Sequence, residues 1–448
     1  MKGRNILLYQ QKYGKGKDRR NKRDCDYFAS PGNFDLKPGL LTSCFNAWNS
    51  LATLRRDIRR NEEFVFGDQW SDRVFDYKKR EWKTERQRLN EQGVQPSQYN
   101  ILRGILRSID GVWASSKTLP TCIAQKDDNK NESEVLTATL HSHYRKHELR
   151  KLTRSQLQQL LIGGIAVTKN HFVSRDGESD VVNDYVDPFS FFIDNTMKDP
   201  RYADCTLVGC FYDMPVEDIA GNFCKGSAKR AQAIREIYAA DNRERIYQFA
   251  ETFTDKRTEE DFFTPALQSE GLGRVIEVWR KETANCFWVH DYLNGKYYPD
   301  FRATEPQLKA ENARRMREQS AMGVEEEDML LLEWEWGSDV FWKYYYLTPY
   351  GEVLDEGINP FWHGKPSFVF ELHDFFVGKI YPFVRDIIDA NKQINKLSAI
   401  SELLSRFSAK SLMLVPEESI SEESGHGIDY IERSATDYNS TLVYKSKG

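Results

Sequence analysis

The sequence predicts an α+β protein with a helical first part, a β-meander and one long helix towards its C-terminal end. Three observations carry this. Apolar residues recur at helical spacing through most of residues 42–161. Between Gly273 and Phe370, runs rich in Val, Trp, Tyr and Phe alternate with Gly- or Pro-marked turns. From Pro382 to Pro416 neither Gly nor Pro interrupts an amphipathic pattern.

Composition narrows the class. With 448 residues, 40% hydrophobic and 29% charged, the chain suits two or three globular domains. A net charge of -5 and a pI near 6.0 argue against a general duplex-DNA binder, so any nucleic-acid contact must be local or non-adhesive. The seven cysteines form no C-x-x-C pair and are odd in number. That argues against a disulfide framework or a zinc ribbon and fits a reducing cytosol. No apolar run approaches membrane-span length, Leu160–Val167 being among the longest, and no membrane partner is expected. The N-terminus carries no secretory apolar region.

The elements follow in order. Residues 1–41 read as a basic flexible arm, since Gln11–Asp24 holds seven Lys or Arg and its GKGK lacks the spacing of a phosphate loop. Residues 42–66 read as one helix capped by Ser43, with Phe45, Trp48, Leu51, Leu54 and Ile58 at helical spacing. A second helix covers Gln98–Ser115, with Ile101, Ile105, Ile109 and Val112 on one face, before Pro120. A third runs from Ser133 to Leu161 and is ended by Gly163 and Gly164. Strands over Ile165–Val173 and Asp180–Val186 are joined by the turn Ser174–Ser179, and an aromatic loop covers Asp187–Cys205. Met214–Ala220 opens a helix with Pro215 in its first turn. The meander that follows is interrupted by a polar helix over Glu305–Met329.

The last helix carries the functional argument. Pro382 fits only a first turn, so residues 382–410 would reach roughly 43 Å at 1.5 Å per residue. Phe383, Ile387, Ala390, Ile394, Leu397, Ile400 and Leu404 form a slowly drifting apolar stripe. Arg385, Lys392, Lys396, Arg406 and Lys410 fall within an arc of about 80° on another side, interrupted by Ile388 and Leu403. Such a helix either packs beside copies of itself in a ring or lies on its own domain with a solvated basic face.

Enzyme chemistry finds little support. His143 and His147 stand at i, i+4 but lack the Glu of H-E-x-x-H and any evident third ligand, so a solvated helix face is expected. The acidic run Glu325–Asp328 reads as a solvated loop. No G-x-S-x-G or Walker A motif is present, and no catalytic residue, metal or cofactor is expected.

Four blocks, in this order and spacing, resemble the portal proteins of tailed bacteriophages, closest to those of short-tailed and crAss-like phages. They are FVFGDQW followed by YNILRGILRSIDG; the helix into GGIAVTKNHF; VNDYVDPFSFFIDNTMKDPRYADCTLVGCFYDM; and PSFVFELHDFFVGKIYPFVRDIIDANKQINKLSAISELLSRFSAKSLMLVP. Together they span roughly residues 50–416. The resemblance implies a portal fold with a helical and β-rich wing over 42–377, a first stem helix over 378–411 and small clip strands over 412–448. The family's second stem helix, tunnel loop and crown have no counterpart here and are expected to be missing.

By the same resemblance the chain is a subunit of a homo-oligomeric ring of about twelve copies at one capsid vertex of the virion. Double-stranded DNA passes through without sequence specificity during packaging and ejection. The implied partners are the terminase large subunit, neck or adaptor proteins and the major capsid protein, with assembly in the host cytoplasm. Phe383, Ile387, Ile394, Leu397, Ile400 and Leu404 are then candidate oligomer-interface residues. Leu412, Leu414, Leu442 and Tyr444 are candidate docking positions on the clip. Strong cations lining a channel would make DNA stick, so Arg385, Lys392, Lys396, Arg406 and Lys410 are expected mostly to meet acids on adjacent subunits. Two alternatives remain: a DNA-processing enzyme or accessory factor of a mobile element, and another head–neck connector. The lack of a carboxylate–His constellation favours the structural subunit.

Overall fold

Pro38 opens the first helix, α1 (Pro38–Ser50), and Leu51 separates it from α2 (Ala52–Phe66). The single helix expected over 42–66 is therefore two. Ser43 lies inside α1, where its hydroxyl donates to the Gly39 carbonyl at 2.9 Å instead of capping. The structure is a computed structural model that describes residues 34–408, 413–416 and 441–444, apart from 78, 92–95, 117–118, 125–129, 176–177, 195, 240–261, 264–270, 324–328 and 362. Most of the expected basic arm lies outside the described residues.

After α2 come the hairpin β1 (Arg73–Asp76) and β2 (Glu81–Thr84), then α3 (Glu85–Glu91) and α4 (Ile101–Ser115). Asn100 caps α4 by accepting from the Arg103 N–H at 2.9 Å. The apolar face read from Ile101, Ile105, Ile109 and Val112 is not the buried one. Leu102 and Asp110 are buried, whereas Ile101 and Val112 are exposed. The helix expected over 133–161 is also two, α5 (Lys130–Lys146) and α6 (Leu149–Gly163). Glu148 takes a left-handed conformation (φ 49°) and breaks them apart. Gly164 (φ 72°) ends α6, as the Gly-Gly pair predicts.

The expected hairpin and meander are present, but Phe191–Ile193, inside the stretch read as an aromatic loop, is a strand, and another strand runs through Pro215, so the helix read from Met214 begins at Val216. The strands are β3 (Ile165–Arg175), β4 (Glu178–Tyr185), β5 (Phe191–Ile193), β6 (Leu207–Pro215), β7 (Leu272–Asp291), β8 (Lys296–Asp300), β9 (Leu332–Leu347), β10 (Val353–Ile358), β11 (Phe368–Leu372), β12 (Phe375–Phe376) and β13 (Lys379–Ile380). Helices α7 (Val216–Phe223) and α8 (Ala228–Ala239) precede β7, and α9 (Glu305–Ala321) interrupts the meander. A six-stranded antiparallel sheet runs β10-β9-β7-β6-β5, with β8 also on β7, and a three-stranded sheet runs β11-β3-β4. β9 continues through Gly337, where a Cβ would meet Trp288 Cδ1 at 2.8 Å; glycine lets that indole lie across the strand.

The chain divides into two compact units: residues 1–56, 118–160 and 164–381 in the first, and 57–117, 161–163 and 382–448 in the second. The first unit has an aromatic core. Phe45 and Trp48 of α1 pack with Phe192, Phe211, Phe262 and Phe263, and Phe45 stacks on Phe263 with centroids 5.6 Å apart. The Trp48 indole donates to the Phe189 carbonyl at 2.9 Å, so its polar edge is satisfied. A buried ion pair between Lys169 of β3 and Glu277 of β7 ties the smaller sheet to the larger, and the Trp279 indole donates to the same carboxylate at 2.9 Å.

The second unit has a smaller core of Phe64, Val65, Leu102, Ile162, Val384 and Ile388. It contains the long helix α10 (Phe383–Ser408) and a two-stranded parallel ribbon, β14 (Met413–Pro416) on β15 (Thr441–Tyr444). No helix among the described residues is long and apolar enough to cross a membrane.

Candidate functional site: the long helix

Pro382 stands just before α10, and Asp386 in the first turn complements the helix dipole. Twenty-six residues carry it about 39 Å at 1.5 Å per residue. Residues 409–411, over which the stem helix was expected to continue, lie outside the described residues.

The face that α10 buries in its own unit consists of Val384, Ile388, Asn391, Asn395 and Ala399. Their spacing of four, three, four and four places them within about 80° of one another. Two of the five are amides, and they are fully engaged. The Asn391 and Asn395 amide groups both donate to Gln69 Oε1, at 2.7 and 2.6 Å. Their side-chain oxygens accept from the backbone N–H groups of Ile101 (3.2 Å) and Tyr99 (2.9 Å). Gln69 Nε2 donates to the Phe64 carbonyl at 3.0 Å. The FGDQW stretch therefore supplies the centre of an amide clamp that fixes α10 against the start of α4. Sequence reasoning missed these three residues; the available signal was a pair of Asn at i, i+4 inside a helix, where Asn is unfavourable without partners.

The predicted apolar stripe lies elsewhere on the helix. Phe383 and Ile387 are half-buried, and Ile387 packs on the core. Ala390 is exposed. Ile394, Leu397, Ile400 and Leu404 are 43%, 64%, 54% and 60% exposed. Four large aliphatic side chains thus face outward on a helix that already has a buried face.

Three of the predicted cations lie beside acids of the same chain. Lys392 pairs with Asp72 and lies 3.6 Å from Glu85, and Lys396 lies 3.7 Å from Glu85. Arg385 pairs with Asp57 at 3.3 Å. These three cations therefore have acidic neighbours within their own chain, Glu85 being shared by Lys392 and Lys396. The reason is positional: the buried amide face lies beside the basic arc, so the elements covering it bring their carboxylates to the lysines. Arg60 joins the group, meeting Asp72 at 2.9 Å. Burial raises the Asp72 carboxyl, but the hydrogen bonds from Arg60 and Lys392 outweigh it and hold the group below its ordinary value. The Arg60 guanidinium is raised in turn by its bond to Asp72. The Arg406 side chain and Lys410 lie outside the described residues.

Of the candidate clip positions, Leu412 lies outside the described residues. Leu414 faces Leu442 in the ladder, and Pro416 faces Tyr444. The unit also exposes aromatic residues on its hairpin, where Tyr77 is 85% and Trp82 67% accessible.

A family model for the phage P22-like portal protein matches residues 42–447. The chain belongs to that family. A search of curated proteins finds no match. As a portal protein it is a structural subunit of the phage head-to-tail connector and serves genome packaging. Membership implies an oligomeric ring at the capsid vertex of the virion, with capsid and terminase partners in general. The α+β fold, with its helical elements and antiparallel meander, agrees with the family.

Proposed function

We propose that α10 is the first stem helix of a portal ring of about twelve subunits, and that its outward aliphatic stripe is the contact between neighbouring stems. In this reading residues 42–377 form the wing, 378–411 the stem and 412–448 the clip. The portals of short-tailed and crAss-like phages are the nearest kin, a placement supported by the four sequence blocks. The observation that carries the proposal is the exposure of Ile394, Leu397, Ile400 and Leu404 on a helix whose other side is already buried. Exposed apolar rows of this size mark interaction surfaces, and a helix of about 39 Å offers a long seam for repeated contact.

The charge arrangement suits passage of DNA. Each phosphate neutralised by a free cation adds affinity through counterion release, and a translocating duplex must not be gripped. Asp57, Asp72 and Glu85 offset much of the charge of Arg385, Lys392 and Lys396, with Asp72 also shared by Arg60. The parallel ribbon β14–β15 is the docking surface for the terminase large subunit during filling and for neck or adaptor proteins afterwards. The major capsid protein surrounds the ring, and subunits assemble in the host cytoplasm before incorporation into the virion.

Negative-stain microscopy with mass photometry tests the reading. The wild-type chain is expected to give rings with a central hole. Leu397→Asp, or Ile394→Asp, is expected to give folded monomers, because a carboxylate would have to be buried unpaired at each subunit contact. Normal rings from both variants would show that this stripe is not the assembly surface.

A further inference from the structure

The sequence left His143 and His147 without a third ligand, and the fold supplies one. Asp180 of β4 comes to the C-terminal turn of α5, where the ligand atoms of His143, His147 and Asp180 all lie within 4.8 Å of one another. We propose that these three side chains bind a divalent transition-metal ion of the zinc class, with water completing the coordination. The ion would staple the end of α5 to the β3–β4 hairpin. All the residues belong to the first unit, and the inference stands independently of the stem reading.

The three groups are near enough for small side-chain rotations to bring them onto one ion. Zn–N bonds of about 2.0–2.1 Å set ligand-to-ligand edges of about 3.3 Å. His147 Nε2 is 3.0 Å from Asp180 Oδ2 and His143 Nδ1 is 3.7 Å from Asp180 Oδ1, so each histidine lies beside a different oxygen of the one carboxylate. The two imidazole rings lie 4.5 Å apart. The three side chains are 19–29% accessible, sheltered yet open to an ion from solvent.

An outer layer orients the first histidine. Asn183 Nδ2 donates to Asn170 Oδ1 at 2.6 Å, which turns Asn183 Oδ1 towards His143 Nε2 at 3.1 Å. An acceptor at Nε2 places the proton of the neutral ring there and leaves the Nδ1 lone pair directed at a carboxylate oxygen. A metal-bound histidine typically has its second nitrogen held in just this manner. A cation already sits close by: Lys146 Nζ is 2.6 Å from Asp180 Oδ2. Its side chain is 61% exposed, and an entering ion would compete with it for the carboxylate. The Val181 N–H holds the other oxygen, Asp180 Oδ1, at 2.9 Å. Imidazole with one carboxylate suits Zn²⁺, Co²⁺ or Ni²⁺ rather than Mg²⁺ or Ca²⁺.

Co²⁺ titration of the chelator-stripped full chain, followed by visible absorption and by competition with Zn²⁺, tests the proposal. One equivalent is expected to give tetrahedral d–d bands without the thiolate charge-transfer absorption that cysteine ligands would add. His147→Ala and Asp180→Asn should abolish the bands, and Asn183→Ala should weaken binding about 10- to 100-fold. Lys146→Met removes the competing ammonium without touching a ligand and should tighten binding severalfold, so it keeps the test decisive even if a ligand variant misfolds. No uptake by either the wild type or Lys146→Met would overturn the site. Uptake that a folded His147→Ala protein retains in full, or a spectrum dominated by thiolate ligation, would overturn it equally. Ring formation is not the readout, so failure here leaves the stem proposal intact.

Discussion

The cores of the two units are built from different material. The first unit closes on itself with aromatic rings: Phe262 is fully buried and packs against Phe45, Trp48, Phe192, Phe211 and Phe263. The second unit places amides at the centre of its contact with α10 and flanks them with ion pairs, while Ile394, Leu397, Ile400 and Leu404 of α10 face outward. An aromatic core draws its stability from area removed from water and needs no partner. An amide clamp mainly fixes geometry, because its net gain over water is small whereas misalignment is costly. The difference teaches a division of labour. One unit buries its aromatic rings against one another, and the other fixes a helix through amides and leaves four of its aliphatic side chains exposed.

The contrast can be broken at several points. The largest effect is expected in the aromatic core: Phe262→Ala should cost about 3–5 kcal/mol through lost burial and the cavity left behind, read as a lower urea midpoint. Next comes the clamp. Gln69→Ala removes the acceptor of two buried amides, each costing about 1–3 kcal/mol when stranded. Hydrogen exchange should then rise along α10 and the start of α4, while the sheet of the first unit keeps its protection. Equal loosening of both units would show that the amide clamp is not local to the second.

A smaller effect is expected on acidification. Asp72 titrates below its ordinary value in the folded protein, so the unfolded chain takes up its proton first as pH falls. The stabilisation is complete above the unfolded carboxylate value, near 3.9, and is lost as pH drops through the lower folded one. Asp72→Asn should flatten the stability profile in that acid window and leave its slope near neutrality unchanged. The smallest effect is expected for Leu397→Asp on the isolated subunit. An exposed position should shift the unfolding midpoint by less than about 0.5 kcal/mol, even though the same change is expected to prevent assembly. A large loss of subunit stability would mean that Leu397 is part of the core.

Much of the fold was legible from local signals. The Gly163–Gly164 stop, the β3–β4 hairpin, the antiparallel meander and the uninterrupted run after Pro382 all depend on residues near one another in sequence, and all appear in the structure. The breaks at Leu51 and Glu148 were not legible, because nothing in those positions forbids helix; Glu148 adopts a left-handed conformation that its side chain does not favour. The candidate site was half legible. Periodicity found an apolar stripe and a basic arc on α10, yet it could not say which face the chain would bury.

Local signals therefore settled most of the elements, their order and the family they spell, since propensity, turn chemistry and motif spacing are properties of short stretches. What only the tertiary structure decided was the use of each face. Val384, Ile388, Asn391 and Asn395 are buried because Gln69, Leu102 and Ile162 arrive from distant parts of the chain to satisfy them. Lys392 is neutralised because Asp72 comes with them. Asp180 meets two histidines because β4 returns past the end of α5. Hydrogen bonding and ion pairing depend on distances of a few ångströms, and those are fixed by long-range packing that no local pattern encodes.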